Sequence, residues 1–237
     1  MDARTLELLR QVSTATISTQ LLSRGLRNTF LHGVKPLTHK RMAGPAFTLR
    51  YIPAREDIDV LAVYQDYDHP QRKAIETVPP GHVLVMDCRG QGRAASAGGI
   101  LSKRLEVRGV EGLVTDGTLR DTPEIARLDL AVYAQGASPL TNLAQHHAVD
   151  LNVPIGCAEV AVYPGDVMVG DEEGVVCIPA ELAKEIAEAA IEQEELEAWL
   201  GKEIAAGKPL KGTYPPDAAT RERYHQQRSL PNRRRDS

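Results

Sequence analysis

The chain begins with apolar side chains at the spacing of an amphipathic helix. Over residues 3–24 leucine and isoleucine recur near helical intervals, which predicts a helical segment. A run of hydroxyl residues from Ser13 to Thr19 interrupts the pattern, and such side chains cap helices more readily than they continue them. We therefore expect two short helices here, with Gly25 as the stop.

Alternating and continuous apolar runs predict the first strands. Residues 46–52 alternate between apolar and polar side chains, and residues 82–87 form a short apolar run after a Pro-Pro-Gly turn. Between these strands we expect a loop at residues 66–70, which is a candidate lid, and a short helix over residues 71–77.

A glycine pair marks the middle of the chain. Gly98 and Gly99 open a predicted helix over residues 100–108, Gly109 closes it, and the strand Gly112–Thr115 follows. The first N–H groups of a helix lack intrahelical acceptors and lie at the positive end of its dipole. The glycine pair therefore predicts an anion-binding turn.

The remaining pattern predicts more sheet and then a long helix. The expected elements are a helix at residues 122–127, strands at 131–134, 158–163, 166–169 and 174–178, and a Glu- and Ala-rich helix at 179–204. Together these elements predict an α/β fold. We expect residues 1–206 to form a single domain with N-terminal helices and a long C-terminal helix. Residues 207–237 would be a partly extended or disordered C-terminal extension.

Composition fits this architecture. The 237 residues are 42% hydrophobic but only 4% aromatic, so aliphatic side chains must build the core. No run approaches the roughly 20 apolar residues of a membrane span, and the N-terminus lacks the pattern of a signal peptide. We therefore expect a cytoplasmic protein without a membrane partner.

Cysteine and charge narrow the class further. Cys88, Cys157 and Cys177 are widely spaced in apolar segments, which predicts three small buried thiols. The net charge of −4 argues against nucleic acid as a partner. Residues 221–237 form a basic tail with six arginines, and we expect a solvated end there rather than an RNA contact.

The densest group of candidate functional residues follows the strand Gly112–Thr115. In the segment from Asp116 to Glu124, Arg120 stands beside the carboxylates of Asp121 and Glu124. A guanidinium binds a carboxylate through two parallel hydrogen bonds, and acidic oxygens suit Mg²⁺. The same residues also fit an Asp-Gly turn followed by a surface ion pair and a helix cap. Spacing alone leaves both interpretations open.

Several motifs together resemble one family. In the middle of the chain, Gly98-Gly99 is followed after twenty residues by Arg120-Asp121 and then Glu124, and the motif Gly109-x-x-Gly112-x-x-x-Asp116-Gly117 lies between them. The second half contains three more motifs: Asn152-Val153-Pro154-Ile155, Tyr163-Pro164-Gly165-Asp166 and Asp171-Glu172-Glu173-Gly174. This combination resembles the regulator of ribonuclease activity A-like (RraA-like) family. That family includes the divalent-metal class II aldolases acting on 4-hydroxy-4-methyl-2-oxoglutarate and 4-carboxy-4-hydroxy-2-oxoadipate.

The resemblance implies a swivelling β/β/α-type fold, assembled as a homotrimer or homohexamer with active sites between subunits. It implies that Arg120 holds the carboxylate or keto oxygen of a small 2-keto acid and that Asp121 binds Mg²⁺ or Mn²⁺. Glu124 would orient Arg120 or lie in the outer shell of the metal. The implied substrate cradle consists of Gly98, Gly99, Ile100 and Leu101.

The sequence departs from the family's aldolases at Gly99, where those enzymes carry an acid. Retro-aldol cleavage needs a base for the 4-hydroxyl proton, whereas decarboxylation of oxaloacetate needs only an electron sink. Two outcomes stay open. The chain is a lyase that uses another base and releases pyruvate, which we favour, or it is a non-catalytic regulator of a ribonuclease or another RNA-degradation partner.

Other residues are candidates for the missing base. Histidine titrates near neutral pH, so we consider His69 in the predicted lid and His146 and His147 further along. Acids of the C-terminal helix would be the source if a neighbouring subunit contributes: Glu192, Glu194, Glu195 and Glu197. A loop contact or a solvated helix face is the alternative role for each.

Overall fold

The computed structural model describes residues 1–229. Contacts divide the chain into two compact units, Met1–Glu188 and the residues from Ala189 onward. The helices are α1 (Ala3–Gln11), α2 (Thr14–Ser23), α3 (Pro70–Thr77), α4 (Gly99–Val107), α5 (Thr122–Ile125), α6 (Ala183–Ala205) and α7 (Ala218–Ser229).

Thirteen strands are present in the described chain, all of them in the first unit. In the N-terminal half they are β1 (Lys35–Pro36), β2 (Met42–Pro53), β3 (Val83–Asp87), β4 (Ala95–Ala97), β5 (Gly112–Thr115) and β6 (Thr118–Leu119). In the C-terminal half they are β7 (Ala131–Ala134), β8 (Gly136–Ala137), β9 (His146–Leu151), β10 (Ile155–Cys157), β11 (Val160–Val162), β12 (Val167–Gly170) and β13 (Val175–Ile178).

An eight-stranded sheet forms the centre of the first unit. Its order is β1-β7-β5-β3-β2-β12-β13, and β9 also pairs with β2. The strands β2, β3, β5 and β7 are parallel, while β12, β13, β9 and β1 join antiparallel. Because the twelve-residue strand β2 pairs with three neighbours, the sheet curls towards a nearly closed, barrel-like form. The predicted α/β fold class is confirmed.

The core lies on both faces of the parallel strands. Along β3, Leu84 and Met86 belong to one apolar cluster, whereas Val83 and Val85 belong to the other. Successive side chains of a strand point to opposite faces, so a continuously apolar strand serves two cores. Helices α3 and α4 contribute to the first cluster, while β10 to β13 supply much of the second.

A second, smaller sheet carries the candidate site. It has three strands in the order β4-β6-β8, and both pairings are parallel. Each of the first two strands ends where a short polar segment begins, Gly98 after β4 and Arg120 after β6. Parallel strands end on the same side of a sheet, so these two segments become neighbours.

Most predicted elements are present, including the two N-terminal helices, which Asp2 and Ser13 cap through their side chains. Several elements were not predicted, among them the short strands β1, β4, β6, β8 and β10, the strand β9 and the helix α7. His146 and His147 belong to strand β9 rather than to a loop, because the backbone of this segment pairs with β2. The helix α7 lies in the predicted extension, where Asp217 accepts the Thr220 N–H at 2.8 Å and caps the first turn.

The second unit, as far as it is described, contains most of α6 and all of α7. Within it, the rings of Trp199 and Tyr224 lie 5.6 Å apart, and Arg228 pairs with Glu195 at 2.7 Å. The prediction for the basic tail falls partly on Arg233, Arg234 and Arg235, which lie outside the described residues. The predicted division at residues 206 and 207 stays a prediction.

Two further expectations bear on the class of protein. None of the helices in the described chain combines the length and apolarity that crossing a bilayer requires. Cys88, Cys157 and Cys177 are all buried free thiols, as predicted. Burial raises the pKa of each thiol, and that of Cys88 reaches about 12. Such thiols remain protonated near neutral pH and do not act as nucleophiles.

Candidate active site

The ends of β4 and β6 bring the glycine pair to Arg120 and Asp121. The N–H of Arg120 donates to the Ala97 carbonyl at 3.1 Å, which extends the parallel pairing by one residue beyond the strands. Helix α4 then begins at Gly99 and α5 at Thr122. Two helix starts therefore flank the same point.

Close approach of the two segments requires glycine at position 98. A Cβ atom there would lie 2.8 Å from the Arg120 Cγ and 2.8 Å from the Asp121 Oδ2. Both distances are shorter than van der Waals contact allows, so a larger residue would push the arginine and the carboxylate out of place. Gly98, which was predicted to form part of an anion-binding turn, therefore also allows the Arg120 and Asp121 side chains to pack against that turn.

Asp121 holds its carboxylate towards the start of α4. Its backbone has φ 60° and ψ 33°, the left-handed region that few non-glycine residues adopt. The Asp121 Oδ2 accepts the Gly99 N–H at 3.1 Å and lies 3.4 Å from the Arg120 Nε. The two side chains remain 46% and 38% exposed, so each still presents atoms to a ligand.

Glu124 lies beside the same carboxylate. A Cβ atom on Gly99 would be 2.9 Å from the Glu124 Oε2 and 3.7 Å from the Asp121 Oδ2, so the two acids approach Gly99 from one side. Mg²⁺ keeps most of its water and commonly takes one or two carboxylates from the protein. No cluster of three His, Cys, Asp or Glu ligands is present in residues 1–229. This donor set fits a largely hydrated Mg²⁺ or Mn²⁺ ion.

A cavity of about 240 Å³ opens in front of Arg120 and Asp121. The predicted residues among those that line it are Gly98, Ile100, Leu101, Arg120 and Asp121. The guanidinium, the carboxylate and the first turn of α4 therefore face one space. Gly99 and Glu124 lie directly beside this group.

Five further polar residues line the cavity that the sequence interpretation did not identify: Tyr64, Gln71, Arg72, Thr141 and Asn142. Tyr64 belongs to a short 3₁₀ helix, Leu61–Gln65. Its hydroxyl donates to the Asn142 Oδ1 at 2.8 Å and also contacts the Thr141 hydroxyl. The Arg72 guanidinium lies 5.2 Å from the centre of the Tyr64 ring, a cation–π contact. No local motif marks these residues, because they come from three separate segments.

The candidate histidines lie outside the residues that line the cavity. His146 is fully buried, and its Nε2 lies 3.0 Å from the Ala94 carbonyl oxygen. The His147 Nδ1 lies 2.7 Å from the Asp59 Oδ1. His69 is buried and precedes α3, and burial lowers its pKa, as does the nearby His147. Each of the three is held by the protein interior or by a neighbouring carboxylate.

Asp116 has a structural role. It is 1% exposed, and its carboxylate accepts the N–H groups of Cys88, Gly90 and Ala158 at 2.6, 2.8 and 3.2 Å. Burial raises the pKa of this carboxyl, and the three hydrogen bonds oppose that shift. For Asp116-Gly117 the turn interpretation is therefore correct.

The acids of the C-terminal helix lie in the second unit. Glu195 pairs with Arg228, and Glu197 accepts from the Gln193 side chain at 2.9 Å. Their predicted contribution to a neighbouring subunit stays a prediction, together with that of Glu192 and Glu194.

Comparison with known proteins identifies the family. The RraA-like family profile, described as Aldolase/RraA, matches residues 14–177, which is more than half of the chain. The chain belongs to this RraA-like family, as the motifs predicted. Its fold is the family's mixed α/β fold.

Similar proteins include some that are named as aldolases and some that are named as RraA. A Halalkalibacterium halodurans protein, provisionally named a 4-hydroxy-4-methyl-2-oxoglutarate aldolase, is 32% identical over 72% of this chain and 74% of its own length. A Thermus thermophilus 4-hydroxy-4-methyl-2-oxoglutarate aldolase is 31% identical over 52% of this chain and 73% of its own. The crystal structure of Streptomyces coelicolor RraAS2, described as an unusual member of the RNase ES inhibitor RraA family, superposes with a TM-score of 0.75. That protein is 30% identical and covers 84% of this chain and 96% of its own.

The burial of His146 predicts a pH-dependent stability. Burial lowers the pKa of His146, so near and below pH 6.5 the unfolded chain binds a proton that the folded chain does not. The free energy of unfolding should therefore fall as the pH drops from about 7.5 to 5.5. Urea unfolding of the wild type and His146→Gln across this range measures the effect, and the variant should show a shallower slope. His39→Gln, at an exposed position, is the control and should keep the wild-type slope. Equal slopes for His146→Gln and the wild type would contradict the assignment.

Proposed function

We propose that the chain is a lyase that breaks the bond between C3 and C4 of a small 2-keto acid and releases pyruvate. The observation that carries this proposal is the convergence of Arg120, Asp121 and the first turn of α4 on one cavity. The family and its aldolase-named relatives support a carbon–carbon lyase.

Substrate binding follows from the donors at this point. Arg120 offers a planar fork of N–H groups to the carboxylate or the adjacent keto oxygen. The N–H groups of Ile100 and Leu101 lie in the first turn of α4, where helix geometry provides no intrahelical acceptor. The Gly99 N–H is already used by Asp121, which keeps that carboxylate at the edge of the cavity.

Asp121, with Glu124 beside it, would hold Mg²⁺ or Mn²⁺ through carboxylate oxygens, and water would fill the remaining positions. A divalent cation supplies Lewis acidity to an oxygen that gains negative charge. The Arg120 guanidinium stabilises the same developing enolate electrostatically, and it is in place before the bond breaks.

Decarboxylation of oxaloacetate is the simpler of the two proposed reactions, because it needs no base. The bond from C3 to the departing carboxylate breaks, its electron pair forms the pyruvate enolate, and carbon dioxide leaves. A proton from water then completes C3. Retro-aldol cleavage of a 4-hydroxy-2-keto acid needs in addition a base for the hydroxyl proton, and Gly99 cannot serve as one.

We further propose that the active protein is a homotrimer or homohexamer with its sites at subunit interfaces. Large apolar side chains near the cavity support this arrangement, since Ile100 is 85% exposed and Leu61 is 73% exposed. Three buried free thiols fit a reducing compartment such as the cytoplasm.

Removal of Arg120 or Asp121 should abolish most of the activity. We expect Arg120→Ala and Asp121→Ala each to lower pyruvate release from oxaloacetate by about a hundredfold or more, because the first removes the guanidinium that stabilises the enolate and the second removes the carboxylate that would hold the divalent cation. EDTA should have a similar effect, which added Mg²⁺ or Mn²⁺ reverses. The measurement is a pyruvate assay corrected for spontaneous decarboxylation in the same metal solution.

The matched control is Arg104→Ala. Arg104 lies on α4, beyond the first turn, and pairs at the surface with Glu76 at 2.8 Å, so this variant should retain wild-type activity. Pyruvate release that persists in EDTA, or that is absent from the wild type with both oxaloacetate and 4-hydroxy-2-keto acids, would reject the lyase.

An acid at position 99 should favour aldol cleavage. A side chain at position 99 fits once the flexible end of Glu124, 2.9 Å from the new Cβ, shifts and the Asp121 Cβ, at 3.3 Å, moves slightly, and an acid in the first turn of a helix is favourable. We expect Gly99→Asp to raise the ratio of retro-aldol cleavage to decarboxylation by about tenfold or more. Gly99→Asn has the same shape without the acid, and equal ratios for the two variants would contradict the explanation.

A second candidate function is a non-catalytic regulator of an RNA-degrading enzyme. The glycine at position 99 and the similarity to RraAS2 favour it. If the chain is such a regulator, the wild type and Asp121→Ala should inhibit RNA cleavage by a purified endoribonuclease equally, and neither should release pyruvate. Inhibition that is absent, or that needs Asp121, would contradict this alternative.

A further inference from the structure

Two buried donors on the cavity wall have no acceptor. The Asn142 Nδ2 and the Arg72 Nε are both shielded from solvent, and neither has a hydrogen-bond partner. Asn142 is only 5% exposed. Buried polar atoms in folded proteins are almost always paired, because an unpaired one costs free energy. Two unpaired donors among the residues of one cavity indicate that an acceptor from outside the chain belongs there.

Tyr64 determines which atoms remain available. Its hydroxyl donates to the Asn142 Oδ1 at 2.8 Å, so the oxygen of the amide is occupied and its nitrogen is the free end. The ring of the same tyrosine lies 5.2 Å from the Arg72 guanidinium. Tyr64 therefore holds both donors beside each other through two different contacts.

The charges of the cavity are unbalanced. Arg72 forms no ion pair within residues 1–229, whereas Arg104 on helix α4 and Arg108 directly after that helix both approach Glu76. Among the lining residues, Arg72 and Arg120 are cationic and Asp121 is the one carboxylate. A ligand with a single carboxylate would use Arg120 and leave Arg72 without a counter-charge.

We propose that Arg72, Asn142 and Tyr64 form a subsite for a second, distal carboxylate, one that lies beyond the bond that breaks and is retained, as in retro-aldol cleavage of a 4-hydroxy-2-keto dicarboxylate. The cavity then selects 2-keto dicarboxylates over 2-keto monocarboxylates of the same length. A carboxylate fits because its two oxygens can accept from a guanidinium and an amide N–H at once. The identity of the keto-acid end rests on the proposed function, whereas the subsite rests on the unpaired donors.

Binding of two unreactive ligands tests the subsite without any turnover. 2-Oxoglutarate and 2-oxopentanoate have the same five-carbon chain, and only the former carries a distal carboxylate. Neither has a 4-hydroxyl group, so neither undergoes retro-aldol cleavage. Calorimetry on the full chain in Mg²⁺ should give a Kd for 2-oxoglutarate that is roughly ten- to a hundredfold lower, the range typical of hydrogen bonds to a charged group.

The decisive variant is Arg72→Met, which keeps an unbranched apolar stem and removes the charge. The Kd values of this variant for the two ligands should lie within about twofold of each other, and Arg72→Lys should restore part of the preference for 2-oxoglutarate. Lys73→Met is the control on the same helix, because Lys73 does not line the cavity and is 52% exposed. It should keep the full preference.

The outcomes separate this inference from the lyase. Equal affinity of the wild type for both ligands, binding of neither, or a preference that survives in Arg72→Met would overturn the subsite. A preference that depends on Arg72 in a chain that releases no pyruvate would support the subsite and reject the lyase. Suppose instead that pyruvate release needs Arg120, and that Arg72→Met and the wild type show the same ratio of affinities for the two ligands. That result would support the lyase and reject the subsite.

Discussion

The absence of a side chain at Gly98 is the constraint on which the candidate site depends. Parallel pairing of β4 with β6 brings two chain segments together, but only a residue without a Cβ lets Arg120 and Asp121 pack against the turn that follows β4. The same contact turns the Asp121 carboxylate to the Gly99 N–H and leaves the rest of the first turn of α4 facing the cavity. Gly98 therefore determines both how closely the two segments approach and where the Arg120 and Asp121 side chains lie.

The part of the site that is local in sequence could be predicted, because its signals are local. A glycine pair before a helix and an Arg-Asp pair after a buried strand each carry a physical meaning that needs no knowledge of the fold. The second group of lining residues shows the limit. Tyr64, Arg72 and Asn142 come from a 3₁₀ helix, an α-helix and the segment before β9, and spacing along the chain does not indicate that they meet.

The two longest elements that prediction missed, β9 and α7, have a related explanation. The strand β9 begins with two histidines and contains Asp150, which pairs with Arg50 across the sheet, so its apolar pattern is weak and the backbone pairing with β2 defines it. The helix α7 is strongly polar, and the features that mark it are the Asp217 cap and contacts such as Trp199 with Tyr224. In both cases contacts distant in sequence outweigh local propensity.

The residues that we assign to the reacting end and to the distal end of the substrate lie on different parts of the chain. Gly98, Arg120 and Asp121 belong to the turns after β4 and β6, whereas Tyr64 and Arg72 belong to the chain segment that connects β2 to β3. Replacing this connecting segment with that of a homologue would alter ligand preference while the turns stayed intact. Such a division would let recombination or loop replacement change which ligand is recognised without altering Arg120 and Asp121, the residues proposed to act on the bond.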